Sequence, residues 1–435
     1  MGRSVLRGGT AGSRRASATA TVLASVRGGA GVAAAVAAAV AMVLAAAPGA
    51  VAAPAGAAGA AGASSTSTLA AGSVPPDQDP FYQAPANIGS YRSGAIVATR
   101  PVAPAGLGLA ADQIQAWQIS YRTNDSHNRP ELAVTTLIVP AAAWGGAGAR
   151  PVLSVQQPED STGTQCAPSY QVASGGSSAV EYEAFVAPAL ARGWAVAMPD
   201  FEGPKSVFMA GIQAAHAVLD GLRAVRNFDR DGIGRANPVG LNGYSGGAEA
   251  TGWAAQLQPR YAPDVKLAAA AVGGMPAVPA AVARYLDGGP FAGFEMAAAL
   301  SYQKEYPESG IARMLNSSGR AAMAAADNQC TSTLLAEFAF KKLSGYTTVA
   351  DPLSQPNTAR VLQENAMGGA APATPVYDYH AVTDEIVPVA QDDATVAAWR
   401  AEGAQVTEVR DPVGEHAEEA VLRMNDALQF LSNHF

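Results

Sequence analysis

The sequence predicts an α/β fold, a mostly parallel sheet flanked by helices with one inserted helical cap or lid. Three observations carry this expectation. Two short apolar runs, Pro151-Val152-Leu153-Ser154-Val155 and Trp194-Ala195-Val196-Ala197-Met198, each end in a polar, turn-rich loop, and residues 180–192 between them have helical spacing. Strands apolar on both faces and alternating with helices belong to a parallel sheet covered on both sides. A further buried run, Pro238-Val239-Gly240-Leu241-Asn242, leads through Gly243-Tyr244-Ser245-Gly246-Gly247 into a helical stretch at 248–257. Finally, residues 277–369 are Ala-rich and helical in pattern without a convincing strand, so the α/β alternation is broken at a single point.

In chain order, the first residues stand apart from the fold. They hold Arg3, Arg7, Arg14, Arg15 and Arg27 and no acid, then an Ala/Val-rich run over 32–47, then Pro48-Gly49-Ala50-Val51-Ala52 with a small-x-small cleavage pattern. Residues 1–52 read as an export signal. An uncleaved N-terminal anchor is the alternative, against which stands an Ala-rich run barely long enough to span a bilayer. Ser13-Arg14-Arg15 fits a twin-arginine pair, but Ala16-Ser17-Ala18 lacks the bulky apolar residues that follow one, so both export routes stand. Residues 53–76 are mostly Ala, Gly, Ser, Thr and Pro and read as a flexible linker. The core then occupies 77–276 and 370–435 around the cap at 277–369, with order beginning near Asp79-Pro80-Phe81-Tyr82. A hairpin is expected from 118–122 and 133–140 around Asn124-Asp125-Ser126-His127-Asn128. Residues 208–228 form a helix, 267–273 and 374–380 strands, 391–402 a helix, 406–410 the last strand and 417–435 the closing helix.

Composition narrows the class of function. A 435-residue chain with 49% apolar and 15% charged residues can bury a large core. Its net charge is −8, and loss of the five leader arginines leaves −13, which disfavours nucleic acid and anionic membranes as partners. The histidines are scattered, the carboxylates are not clustered and no Gly-rich phosphate loop occurs, so neither metal nor cofactor is expected. Asp229-Arg230-Asp231-Gly232 opens like a calcium loop, but Ile233 follows and the remaining ligand pattern is missing, leaving a simple turn. The only cysteines are Cys166 and Cys330; in an exported chain the even count fits one disulfide, with two separate buried thiols as the alternative.

Strand, Gly-x-Ser-x-Gly and helix together form a nucleophile elbow, in which the serine hydroxyl stands clear of the sheet and the glycines avoid collision with neighbouring backbone. A serine needs a base, and the base needs an acid to fix its tautomer and stabilise its charged form. Of five histidines, His127 sits in a hairpin turn, His216 lies mid-helix and His434 is penultimate, all structural or surface positions. His380 ends a strand but precedes the candidate acids, reversing the Ser-Asp-His order. His416 follows the last strand in Asp411-Pro412-Val413-Gly414-Glu415-His416, where a base reaches a serine at the carboxyl edge of the sheet. A plain loop histidine is the other reading. Asp384, at the tip of Ala381-Val382-Thr383-Asp384-Glu385, is the candidate acid; Glu385 is its nearest competitor, Asp378 alternates toward a structural partner, and Asp392 and Asp393 lie in a helix. The oxyanion donors expected are the N–H of Gly246 and a main-chain N–H near Asp160 in Gln156-Gln157-Pro158-Glu159-Asp160-Ser161. Glu159 and Asp160 as solvated turn residues is an equal alternative.

With Ser245, Asp384 and His416 in that order and a cap between the first two, the chain resembles the α/β-hydrolase fold and, more narrowly, the secretory lipase family. The resemblance runs through Asp79-Pro80-Phe81-Tyr82, Pro158-Glu159-Asp160-Ser161, Pro199-Asp200-Phe201-Glu202-Gly203-Pro204, the elbow, Tyr379-His380-Ala381-Val382-Thr383-Asp384-Glu385-Ile386-Val387-Pro388 and Glu415-His416. It implies Ser245 as nucleophile, Asp384 as acid, His416 as base, Asp160 and Gly246 at the oxyanion hole, a helical lid, and a disulfide for which Cys166 and Cys330 are the only candidates. The chain departs in its long Ala-rich leader and in lacking a second cysteine pair near the C-terminus. The expectation is a secreted serine carboxylester hydrolase acting on acylglycerols or similar esters, at a lipid–water interface in the lipase case, with no membrane span after signal removal. A short-chain esterase, an acyltransferase or peptidase on the same residues, and an inactive binding module on the same fold are the alternatives. Tyr285, Leu286, Phe291, Phe294, Met296 and Leu300 are either cap core or acyl-chain contacts.

Overall fold

The computed structural model describes residues 70–104, 107 and 112–435. The expected export signal, and the linker as far as residue 69, lie outside the described residues. The chain forms β1 (Ile96–Pro101), β2 (Ile114–Asn124), β3 (Pro130–Pro140), β4 (Val152–Gln156), β5 (Ala195–Pro199), β6 (Val239–Tyr244), β7 (Leu267–Gly273), β8 (Val376–Ala381) and β9 (Val406–Asp411). They make one sheet in the order β1-β2-β3-β5-β4-β6-β7-β8-β9. The pairs from β5 through β9 are parallel, and β1, β2, β3 and β5 pair antiparallel.

The expected hairpin is present but longer, and the first strand was not anticipated. β1 carries Arg100 on a half-buried edge, so its sequence has no run of large apolar residues to announce it. Arg100 is instead buried against Asp79 at 2.7 Å and lies over the Phe81 ring, which fixes the segment around Asp79 and Phe81 to the sheet.

Alternation in the parallel strands feeds two cores, because successive side chains point to opposite faces. Val239 and Leu241 of β6 and Ala195 and Ala197 of β5 enter one core with helices α3 (Gly211–Phe228) and α4 (Gly246–Tyr261); Val196 and Met198 enter the other with α2 (Ala179–Ala191) and α12 (His416–Ser432), while α1 (Pro168–Ser174) precedes α2. A fully buried Leu or Ile in such a core contributes roughly 1.5–3 kcal/mol, so both faces are needed and neither can be exposed. The helix expected from residue 208 begins only at Gly211, because Val207, Phe208 and Met209 turn away into a third core.

Between β7 and β8 lie α5 (Pro279–Leu286), α6 (Ala292–Glu305), α7 (Ile311–Met314), α8 (Ser317–Ala326), α9 (Thr331–Phe338) and α10 (Pro356–Glu364), with only an isolated bridge between Leu315 and Thr347 and no strand. This segment packs on itself through Met296, Leu300, Leu334 and Phe338, and on the sheet through Phe208. Its tie to the loop after β4 is covalent. Cys166 and Cys330 form a disulfide with Cα atoms 5.5 Å apart. Around it, Thr162 N–H donates to Gln329 O at 3.0 Å, Gln165 Nε2 to Asn328 O at 2.7 Å, and Thr331 Oγ1 to Glu159 O at 2.8 Å and Asp160 O at 3.1 Å. After β8, α11 (Val389–Ala401) and α12 complete the fold.

The crosslink closes a loop over a separation of 164 residues, for which the chain-entropy estimate is about 5 kcal/mol. The Cys166→Ser/Cys330→Ser protein is expected to keep its fold by circular dichroism but to lose roughly 2–5 kcal/mol of unfolding free energy in urea titration.

Candidate active site

The site begins with a backbone constraint. Ser245 sits between β6 and α4 at φ 54° and ψ −126°, outside the usual regions for an L-residue. Its N–H donates to Gly273 O of the neighbouring strand at 2.9 Å, and its carbonyl accepts from Ala248 and Glu249 N–H at 2.8 and 3.1 Å. The turn is therefore gripped from both sides. A Cβ on Gly243 would come within 2.2 Å of Gly247 O, and one on Gly247 within 2.1 Å of Gln156 O. Strand, helix and the β4 loop approach too closely there for any side chain, which is the physical content of the Gly-x-Ser-x-Gly spacing.

The structure brings Ser245, His416 and Asp384 together from three separate segments. His416 Nε2 is 2.8 Å from Ser245 Oγ, and His416 Nδ1 is 2.6 Å from Asp384 Oδ2. His416 was expected in the loop ahead of the closing helix; it is instead the first residue of α12, where its own N–H donates to Glu385 Oε2 at 3.0 Å. Tyr244 Oη donates to His416 O at 2.6 Å, so the residue before the serine fixes the backbone of the histidine. Asp384 Oδ1 accepts from Ile386 and Val387 N–H at 2.8 and 2.7 Å. Burial by itself would raise the Asp384 carboxyl, but hydrogen bonds from His380 and His416 hold it well below the usual carboxylate range.

The alternative carboxylates have other partners. Glu385 faces the His416 backbone rather than its ring, and Asp378 pairs with Arg410. His380 was set aside on chain order, yet it lies in the same cluster: Nε2 is 3.1 Å from Asp384 Oδ2 and Nδ1 2.9 Å from Asp392 Oδ2. The available signal was the four-residue spacing from His380, at a strand end, to Asp384 across a tight turn. His216 is buried with Nδ1 3.2 Å from Asp125 O, and His127 and His434 lie away from the cluster on exposed bonds.

Asp160 and Glu159 are buried rather than solvated. Asp160 has φ 47°, and a Cβ on Gly246 would lie 1.9 Å from its Oδ1, so the two expected oxyanion residues are in contact beside Ser245. Gly246 opens α4, where first-turn N–H groups lack intrahelical acceptors. The loop shape is held by Glu202, missed in the sequence: its carboxyl accepts from Ser161 N–H at 3.2 Å and from Ser161 and Ser206 Oγ at 3.1 Å each. Burial, then the neighbouring acids, pushes Glu202 and Glu159 well above the carboxylate range.

From Ser245, Gly246 and Asp160 a pocket of about 970 Å³ extends under the helical segment, lined by Phe208, Leu286, Phe294, Met296, Leu315, Met323 and Leu362 among others. Of the six apolar residues singled out in the sequence, Leu286, Phe294 and Met296 line it, and Tyr285 is exposed. Its carboxyl Glu295 is pushed up to about 9 by burial and then Asp287. Among the described residues one trio with metal-ligating atoms lies together, Asp125, His127 and Glu305. Their atoms are already occupied, Asp125 by the His127 and Arg129 N–H groups, Glu305 by Ser126 N–H and Lys205 Nζ, and His127 by Glu308.

The chain is similar in sequence and in fold to known proteins. Residues 171–435 match the model of the family described as secretory lipase. A "probable inactive lipase" of Mycobacterium tuberculosis is 34% identical over 370 residues, covering 83% of this chain and 82% of its own. The trichothecene C-3 esterase of Fusarium sporotrichioides is also 34% identical, over 382 residues, covering 83% and 84%. The crystal structure of Candida antarctica lipase A in its closed state superposes with a TM-score of 0.79 at 29% identity, over 84% of this chain and 87% of that one. The chain therefore belongs to the secretory lipase family, carboxylic ester hydrolases built on the α/β-hydrolase fold.

Proposed function

We propose that the protein is a secreted, triacylglycerol-lipase-like serine esterase that works through an acyl-enzyme on Ser245, His416 and Asp384. The observation that carries this reading is the hydrogen-bonded line from Ser245 Oγ through His416 to Asp384, opening into a large apolar pocket. His416 Nε2 takes the proton as Oγ attacks the ester carbonyl, then returns it to the departing alcohol; water repeats the sequence on the acyl-enzyme. Asp384, accepting at His416 Nδ1, holds the tautomer with Nε2 free to act as base. The Gly246 N–H and a main-chain donor at Asp160 are suited to the oxyanion. All three reacting residues are present, which argues against an inactive binding module even though one relative is described as inactive.

The apolar pocket favours an acyl chain as the buried part of the substrate. A lipid–water interface as the working surface is supported by exposed apolar side chains around the acid and base loops. Val413 is 74% exposed, Tyr285 51% and Val382 49%; Thr383 Oγ1 donates to Gly414 O at 2.7 Å, and Tyr285 Oη to Asp384 O at 3.4 Å, joining the three segments. Among the described residues no helix is long and apolar enough to cross a membrane. Secretion fits the family description and the N-terminal signal pattern. A short-chain esterase is the second reading, favoured by the 34% identity to a trichothecene esterase.

A series of p-nitrophenyl esters from acetyl to palmitoyl separates the two. Turnover rising toward long acyl chains supports the lipase reading, and a sharp preference for acetyl overturns it in favour of the esterase. Ser245→Ala is expected to lower kcat by on the order of 10⁵ or more; activity equal to the parent would overturn the mechanism. Val382→Asp/Val413→Asp is expected to lose several-fold activity on emulsified triacylglycerol while keeping its rate on a soluble short ester. Equal loss on both substrates would remove the interfacial role.

A further inference from the structure

We propose that His380 is a positioning residue for this reaction: a buried imidazolium, wedged between Asp384 and Asp392, that holds Asp384 ionised and aimed at His416. The proposal rests on Ser245, His416 and Asp384 being the reacting residues. Its own support is a count of donors and acceptors. His380 ends β8 and is fully buried. Its Nδ1 is 2.9 Å from Asp392 Oδ2; its Nε2 is 3.0 Å from Val387 O and 3.1 Å from Asp384 Oδ2. Both ring nitrogens thus face only acceptors. A neutral imidazole has one N–H and one lone pair, so one nitrogen would oppose an oxygen lone pair; the doubly protonated ring donates on both sides.

The surroundings support the charge. Burial opposes it, but the two carboxylates outweigh burial and push the His380 ring up to about 10. Asp392 is itself held by Arg410 at 3.2 Å, and Arg410 also binds Asp378 and Asp393. The other acids that feel the His380 ring are Asp378, paired with Arg410, and Glu419 on α12, which burial and then Asp411 push up to about 8. Asp384 consequently accepts four bonds: two backbone N–H groups at Oδ1, and His416 Nδ1 and His380 Nε2 at Oδ2. A carboxylate so held cannot rotate away from His416.

The test uses the mature protein, His380→Gln, and a soluble p-nitrophenyl ester across pH. Loss of the cation removes a positive charge from the hydrogen-bonded Asp384–His416 pair, so the pair takes up a proton at higher pH. The expected result is an acid limb of kcat/KM moved up by about one pH unit, kcat lowered roughly ten- to a hundred-fold and KM little changed. A folded variant with an unmoved acid limb, whether or not its thermal stability falls, overturns the proposal, because a merely structural histidine lowers stability without shifting that limb. A second measurement needs no variant: in parent protein with ¹⁵N-labelled histidine, one imidazole is expected to remain doubly protonated at pH 8, and finding none overturns the proposal. Neither result bears on Ser245→Ala, so failure here is distinguishable from failure of the triad reading.

Discussion

The constraint on which the site depends is the reversal at Ser245, where β6 gives way to α4 through a backbone conformation that costs an L-residue on the order of 1–3 kcal/mol. It persists because β6 lies between β4 and β7, so the turn cannot move without breaking ladders on both sides. Gly243 and Gly247 are required by the same closeness: the helix starts directly over the β4 loop, and Gln156 O occupies the space a Gly247 side chain would need. That proximity is useful as well as costly. It brings Asp160, four residues beyond Gln156, against Gly246 at the helix start.

Much of the parallel core was legible because its strands are buried on both faces and read as short continuous apolar runs. Ser245, Asp384 and His416, the residues proposed to react, could be picked out for a related reason, since each sits where a strand of that core ends and chain order restricts the choice. Legibility fails where polar residues are buried in pairs. β1 was missed because Arg100 reads as an exposed residue, and its burial depends on Asp79 and the Phe81 ring, about twenty residues earlier. Glu159 and Asp160 read equally well as a solvated turn, and only the Thr331 and Ser161 contacts explain their burial. His380 was set aside by chain order, a rule that identifies the base but does not address the other side of the acid. The start of α12 at His416 rather than Ala417 is a shift of one residue, within the fraying of any helix end.

The helical segment between β7 and β8 and the loop after β4 are best regarded as one construction. The segment supplies most of the apolar lining of the pocket, and the loop supplies Asp160. They are joined by the Cys166–Cys330 crosslink and by hydrogen bonds from Thr162, Gln165 and Thr331. Thr331 is adjacent to Cys330 and bonds the carbonyls of both Glu159 and Asp160, so any displacement of α9 is felt directly at the positive-φ residue beside Gly246. A crosslink elsewhere in the helical segment would stabilise the chain equally by loop entropy, but it would not fix this loop.

The electrostatics on the two sides of Ser245 run in opposite directions, and one physical rule accounts for both. Asp384 receives four donors, two of them from rings, and stays ionised despite burial. On the other side, Glu249 is buried in the first turn of α4 and pushed up to about 8 by burial and then Asp160, while burial pushes Glu159 and Glu202, with only hydroxyl and backbone donors, well above the carboxylate range. Were all these acids ionised, they would repel the negative charge that the proposed reaction places on the ester oxygen near Gly246. Dry packing favours the protonated form of Glu249, Glu159 and Glu202, so in the proposed reaction the side that receives negative charge carries less of its own. Carboxyl groups of similar intrinsic acidity thus serve opposite needs within one site, and the difference is set by the donors their surroundings provide.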